Sequence, residues 1–128
     1  MKPELVYLVA TCVLSLVMWV PYILGRLNAW GVVEVMGYPQ RELPQPVWAV
    51  RMQNAHRNLT ENLIPFAGLV LVAHISELTN ETTALGALIF FWARVGHMVV
   101  YTLGIPFART LTFAAGWAGC LMVASVYL

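Results

Sequence analysis

The chain has 128 residues, of which 60% are hydrophobic and only 10% charged, with a formal net charge of +1. A soluble domain carries about a quarter charged residues, so an aqueous globule is a poor fit to this composition. A near-neutral chain also lacks the basic surplus that phosphate backbones attract, and no nucleic-acid partner is expected.

A bilayer-spanning helix needs roughly 20 mostly apolar residues, and the length suits a single domain. The first candidate span, residues 5–25, is uncharged and carries Pro21 near its end. A proline is tolerated in a membrane helix when neighbours satisfy the carbonyl it frees. Lys2 followed by an apolar run raises the question of a signal peptide. The run is long for that purpose, and Pro21, Tyr22 and Arg26 are a poor cleavage context, so the helix is expected to be retained. A polar connection over 27–47 follows, punctuated by Gly37, Pro39, Pro44 and Pro46. The second span, 48–76, is polar in its first half (Arg51, Asn54, His56, Arg57, Asn58, Glu61) and apolar in its second. A short acidic loop at 77–81 leads to the third span, 83–103, which is interrupted by Arg94 and His97. Gly104 and Pro106 make a tight turn, and the last span covers 107–128. The expected fold is an all-α membrane protein, a bundle of four transmembrane helices.

Some residues carry simpler expectations. Cys12 and Cys120 stand in apolar runs without metal-ligand spacing, so they are read as small buried hydrophobes and no metal is expected. Trp19, Trp30, Trp48 and Tyr22 lie near span ends and are read as interfacial belt residues. With four spans, both termini and the 77–81 loop share one side, where Lys2 is the clear basic residue. The other side carries Arg26, Arg41, Arg51 and Arg109. The positive-inside rule then puts the long loop in the cytoplasm and the termini on the non-cytoplasmic side. The short chain, without a C-terminal retrieval tail, points to a bacterial inner membrane.

Charged groups inside spans cost ~2.5–3.5 kcal/mol each at the helix centre, so they face the bundle interior and pair. Asn54, Asn58 and Glu61 share one face of the second helix, and Arg94, His97 and Tyr101 share one face of the third. Consecutive helices joined by a short loop are antiparallel neighbours. Residues at matched depth then have numbers adding to one constant, as do Glu61 with Arg94, Asn58 with His97, and Asn54 with Tyr101. A purely structural ladder, with Glu61–Arg94 as a buried ion pair, accounts for these rungs. It accounts less well for Arg57 and Arg109 beside the same mouth. Surplus cationic donors near Asn, His and Tyr suggest a polar anionic ligand entering from the cytoplasm.

At these residues the chain resembles a known family, the membrane-associated proteins in eicosanoid and glutathione metabolism (MAPEG). Ala55-His56-Arg57-Asn58-Leu59-Thr60-Glu61-Asn62-Leu63-Ile64-Pro65-Phe66 is similar to that family's helix-two signature, in the form seen in microsomal prostaglandin E synthase and microsomal glutathione transferases. Arg94-Val95-Gly96-His97, Tyr101 and Arg109-Thr110 resemble its helix-three pattern and the start of helix four. The resemblance implies a homotrimer holding glutathione as co-substrate between subunits. By position, Arg57, Asn58, Glu61, His97, Tyr101 and Arg109 would contact glutathione. Arg94 would pair with Glu61, and Arg26 would be a further contact. Asn54 stands among these cofactor-binding positions where the family often has arginine, which predicts a weaker hold on a carboxylate.

The expected function is a glutathione transferase or peroxidase acting on small hydrophobic electrophiles or lipid hydroperoxides. Arg109 would stabilise the thiolate, and Tyr101 would donate to the sulfur or the substrate. A rival is a non-enzymatic lipid-binding or scaffold member of the same family, which Asn54 favours and Arg109 opposes. A small multidrug exporter fits poorly, because such exporters place their key glutamate in the first helix and here that helix has only Glu4 at its edge.

Overall fold

The computed structural model describes all 128 residues, and its regular elements are helices. They are α1 (Pro3–Trp30), α2 (Val32–Met36), α3 (Val47–Ile75), α4 (Glu81–Leu103) and α5 (Ala108–Ala124), the last extended by a 3₁₀ turn at Ser125–Tyr127. Four helices are long and apolar enough to cross a membrane: α1, α3, α4 and α5 with its extension. Pro21 and Pro65 lie inside α1 and α3, and neither ends its helix.

The long connection is more ordered than its breakers suggest. α1 continues past Gly25 to Trp30, where Gly31 takes φ +84°, and the short α2 follows. The loop then folds back, with the Trp30 indole N–H donating to the Pro44 carbonyl at 2.6 Å. α4 starts at a capping box. The Asn80 side chain accepts from the Thr82 and Thr83 amides, and the Thr83 hydroxyl accepts from the Asn80 amide, satisfying donors that a helix start leaves open. It ends at Gly104, whose φ of +73° suits glycine.

Side-chain contacts identify the two ends of the bundle. At one end Lys2 Nζ donates to Thr79 at 2.7 Å, the buried Glu4 carboxylate accepts from Thr83, and the Tyr127 hydroxyl donates to the Leu69 carbonyl. The start of the chain therefore meets the α3–α4 loop. At the other end Arg26 of α1 donates to Gln45 and Gln53, and Arg51 of α3 lies against Gly104. The long loop and the α4–α5 turn share that end.

Apolar packing forms two clusters along the bundle. One contains Leu8, Phe66, Val70, Ala87, Phe90 and Val123, with Phe66 and Phe90 stacked at 3.9 Å between ring centroids. The other contains Met18, Tyr22, Ala49, Met52, Ala55 and Leu59. Tyr22 is therefore a core residue and not part of an interfacial belt: its hydroxyl meets His56 Nδ1 at 2.8 Å, and a polar tip with an internal partner has no need of the headgroups. Cys12 also departs from expectation, since it lies on the outer face of α1 and is exposed.

α4 and α5 share the most extensive contact of any pair, and glycines face each other across it. A Cβ on Gly119 would stand 2.6 Å from the Gly86 carbonyl oxygen, and one on Gly86 would stand 2.7 Å from that of Gly119. Small residues permit this approach in membrane bundles, where van der Waals packing carries association. Gly119→Val is expected to destabilise the protein by about 1–3 kcal/mol, measured as a lower unfolding midpoint in detergent. An unchanged midpoint would mean that the helices can separate freely here.

Candidate functional site

The close α4–α5 seam leaves room at its open end, where α3 completes the walls of a polar cavity. One part has a volume of about 560 Å³ and is lined by Arg51, Asn54, Tyr101, Arg109 and Thr110 with the turn residues Gly104, Ile105, Pro106 and Phe107. An adjoining part of about 350 Å³ shares Tyr101, Arg109 and Thr110 and adds Asn58, His97 and Phe113. Both volumes fall in the range of about 300–1,000 Å³ typical of small-ligand sites.

Helical spacing explains the α3 wall. Arg51, Asn54 and Asn58 recur at i, i+3 and i+7 and so form one stripe. From α4, His97 and Tyr101 lie one turn apart with their rings edge to face at 5.4 Å. From α5, the Arg109 guanidinium carbon stands 5.0 Å from the centre of the Tyr101 ring, a cation–π contact that holds both groups over the same space. Arg109 lies in the first turn of α5, whose start has no side-chain cap. The positive end of that helix dipole adds to the preference for an anion. Phe107, just before it, holds φ at +65° and is 81% exposed at the rim. A bulky residue there is strained, and such strain concentrates at functional sites.

Beneath the cavity sits Arg94, only 2% exposed. Its guanidinium donates to Asn58 Oδ1, approaches His97 Nδ1 at 3.4 Å and lies 5.8 Å from the Phe113 ring centre. Within the single chain the structure departs from the expected ladder. Arg94 meets Asn58 instead of Glu61, and Asn58 is not paired with His97. The helical step from Asn58 to Glu61 turns the glutamate toward the edge that carries Arg57, and both side chains are exposed on the outside of the chain. The Arg94 Nε has no partner within the chain.

The structure thus brings Asn54, Asn58, His97, Tyr101 and Arg109 to one cavity and leaves Arg57 and Glu61 outside it. Arg26 is not brought there either: it bonds Gln45 at 3.1 Å and also Gln53, and lies 5.6 Å from the Tyr22 ring. Sequence reasoning passed over Arg51 and Thr110. The Asn54–Asn58 stripe, continued one step toward the helix start, reaches Arg51. Thr110 stood inside a quoted motif without a role.

Cationic and polar donors line this cavity, and none of its lining residues is acidic. Chemically it suits a small anion with several acceptors. The molecule is thus a multi-pass, all-helical integral membrane protein with an anion-favouring cavity at one end of the bundle. It belongs to the MAPEG family, whose pattern it matches over residues 5–128. Among characterised relatives, microsomal glutathione S-transferase 1 of Homo sapiens is 35% identical over 75 residues, covering 58% of this chain and 48% of that protein. The proteins of the same name from Rattus norvegicus and Bos taurus are 33% identical over the same length, with the same coverage. The chain thus spans about half the length of the relatives it matches.

Proposed function

We propose that this protein is a glutathione-dependent transferase of the bilayer, conjugating small hydrophobic electrophiles and reducing lipid hydroperoxides. The observation that carries the reading is a cavity with two guanidiniums, from Arg51 and Arg109, and no carboxylate among its lining residues. Glutathione has two carboxylates and a thiol, and its reactive form is the thiolate. The names of the matched relatives point the same way.

A free thiol has a pKa near ~8.5, and an adjacent cation lowers it. Arg109, held over Tyr101, stabilises the thiolate, and the uncapped start of α5 assists. Tyr101 donates to the sulfur or to the developing charge on the electrophile. Asn54, Asn58, His97 and Thr110 orient the peptide through neutral hydrogen bonds. The hydrophobic substrate arrives laterally from the lipid, past Ile105 and the exposed Phe107.

Arg57 and Glu61 support an assembly. Both are exposed midway along a membrane-spanning helix, and a charge facing lipid there is costly. A partner subunit covering this edge removes the penalty, consistent with a homotrimer. The positive-inside rule places the cavity end in the cytoplasm and the termini on the opposite side.

The test is conjugation of glutathione to a hydrophobic aryl halide by the full-length protein in detergent or liposomes. Saturable turnover above the solution reaction is expected. Folded protein that gives only the background rate would sink the proposal.

A further inference from the structure

Of the arginines near the cavity end of the bundle, two are engaged by hydrogen bonds within the chain. Arg26 bonds the amides of Gln45 and Gln53, and Arg94 bonds Asn58. Arg109 and Arg51 line the cavity instead. If Arg109 serves the sulfur, the two carboxylates of a tripeptide still need donors in a half-open site, and neutral amides bind carboxylates less strongly than a guanidinium fork does. Arg51 is the other guanidinium in the cavity wall.

The α4–α5 turn holds it in place. At Gly104 a Cβ would collide with the Arg51 guanidinium. The guanidinium therefore occupies the space a side chain would take on a glycine whose φ of +73° also makes the turn. A head seated this way loses less freedom when it binds a planar anion. Arg51 also shares a stripe with Asn54 and Asn58, so a ligand bonded to those amides extends naturally toward it.

From this geometry we infer that Arg51 is the carboxylate anchor of the cavity: its guanidinium forks onto a terminal carboxylate of glutathione, while Arg109 holds the sulfur. The inference rests on the glutathione reading and adds the residue that fixes the direction in which the peptide lies. Removing the fork removes charge-assisted hydrogen bonds, which are stronger than neutral ones.

The experiment is calorimetric titration of glutathione into the detergent-solubilised full-length protein and its variants, with helicity and oligomer size checked for each. Arg51→Gln is expected to weaken binding by about tenfold to a hundredfold. Arg51→Lys, which keeps the charge and loses the fork, should fall between Arg51→Gln and the parent. Adding Asn54→Arg to Arg51→Gln puts a guanidinium back one turn along the same stripe and should restore much of the affinity. Neutralising a glutathione carboxylate offers a separate readout: one of its monoesters should bind the parent weakly and lose little more in Arg51→Gln. Parent protein that binds glutathione while Arg51→Gln binds it equally well overturns the anchor and leaves the proposed function standing. Parent protein that binds no glutathione overturns both. If Arg51→Gln does not fold, the Arg51→Lys and monoester results decide, and equal affinity in both comparisons counts against the anchor.

Discussion

Arg109→Ala is expected to lower glutathione turnover by about 10²–10³-fold, the scale seen when one preorganised donor to a developing anion is removed. The guanidinium lies over the Tyr101 ring at 5.0 Å and lines both parts of the cavity. Its loss removes the fixed positive charge beside Tyr101 from a cavity with no carboxylate in its lining. The bound thiol should then revert to its neutral form, seen as loss of the thiolate's ultraviolet absorbance on glutathione binding. Tripeptide affinity should fall much less than turnover, because Arg51 is the proposed anchor of its carboxylate. Arg109→Lys keeps a charge and should retain part of the signal. Full thiolate absorbance and unimpaired turnover in Arg109→Ala would remove Arg109 from the mechanism.

Asn58→Leu should be the most destabilising single change at the site, by about 3 kcal/mol. Arg94 is 2% exposed, and the Asn58 side chain accepts its hydrogen bond. Leucine would leave a buried guanidinium facing a hydrocarbon side chain, with its Nε already lacking a partner within the chain. Removing both polar partners costs less than orphaning one. Asn58→Leu combined with Arg94→Met should therefore recover much of the lost stability, read as the unfolding midpoint in detergent. If Asn58→Leu unfolds at the parent's midpoint, the Arg94–Asn58 contact does not hold the helices together.

The four long helices are legible because each holds an apolar run long enough to span, and the breakers other than Pro21 and Pro65 fall between them. Gly104, Pro106 and Asn80 stand where the elements end or begin. Much of the site was legible for a related reason. Asn54 and Asn58, and His97 and Tyr101, recur at helical spacing, and a short loop turns the two stripes toward each other. The partner of Arg94 was not legible, because matched depth leaves open which way a long side chain bends. Its head meets Asn58 because the α3 stripe is wide and Glu61 falls on its outer edge. Arg26 lay outside the pattern because the path of the 27–47 loop, which brings Gln45 to it, has no periodicity to read. Tyr22 looked interfacial from its position near a span end, and only the packing of α1 on α3 shows that His56 takes its hydroxyl. The same packing explains the two outer charges. Arg57 and Glu61 belong to the polar stripe by spacing, yet within one subunit they have no wall to face.

The central claim is that the cavity between α3, α4 and α5 holds glutathione with its sulfur at Arg109. The most direct test is an experimental structure of the protein in a lipid nanodisc at saturating glutathione. The account predicts tripeptide density in this cavity, with the sulfur within hydrogen-bond reach of Arg109 and a carboxylate on Arg51. A cavity empty of tripeptide under those conditions, or glutathione bound beside Arg26 and away from Arg109, would contradict it.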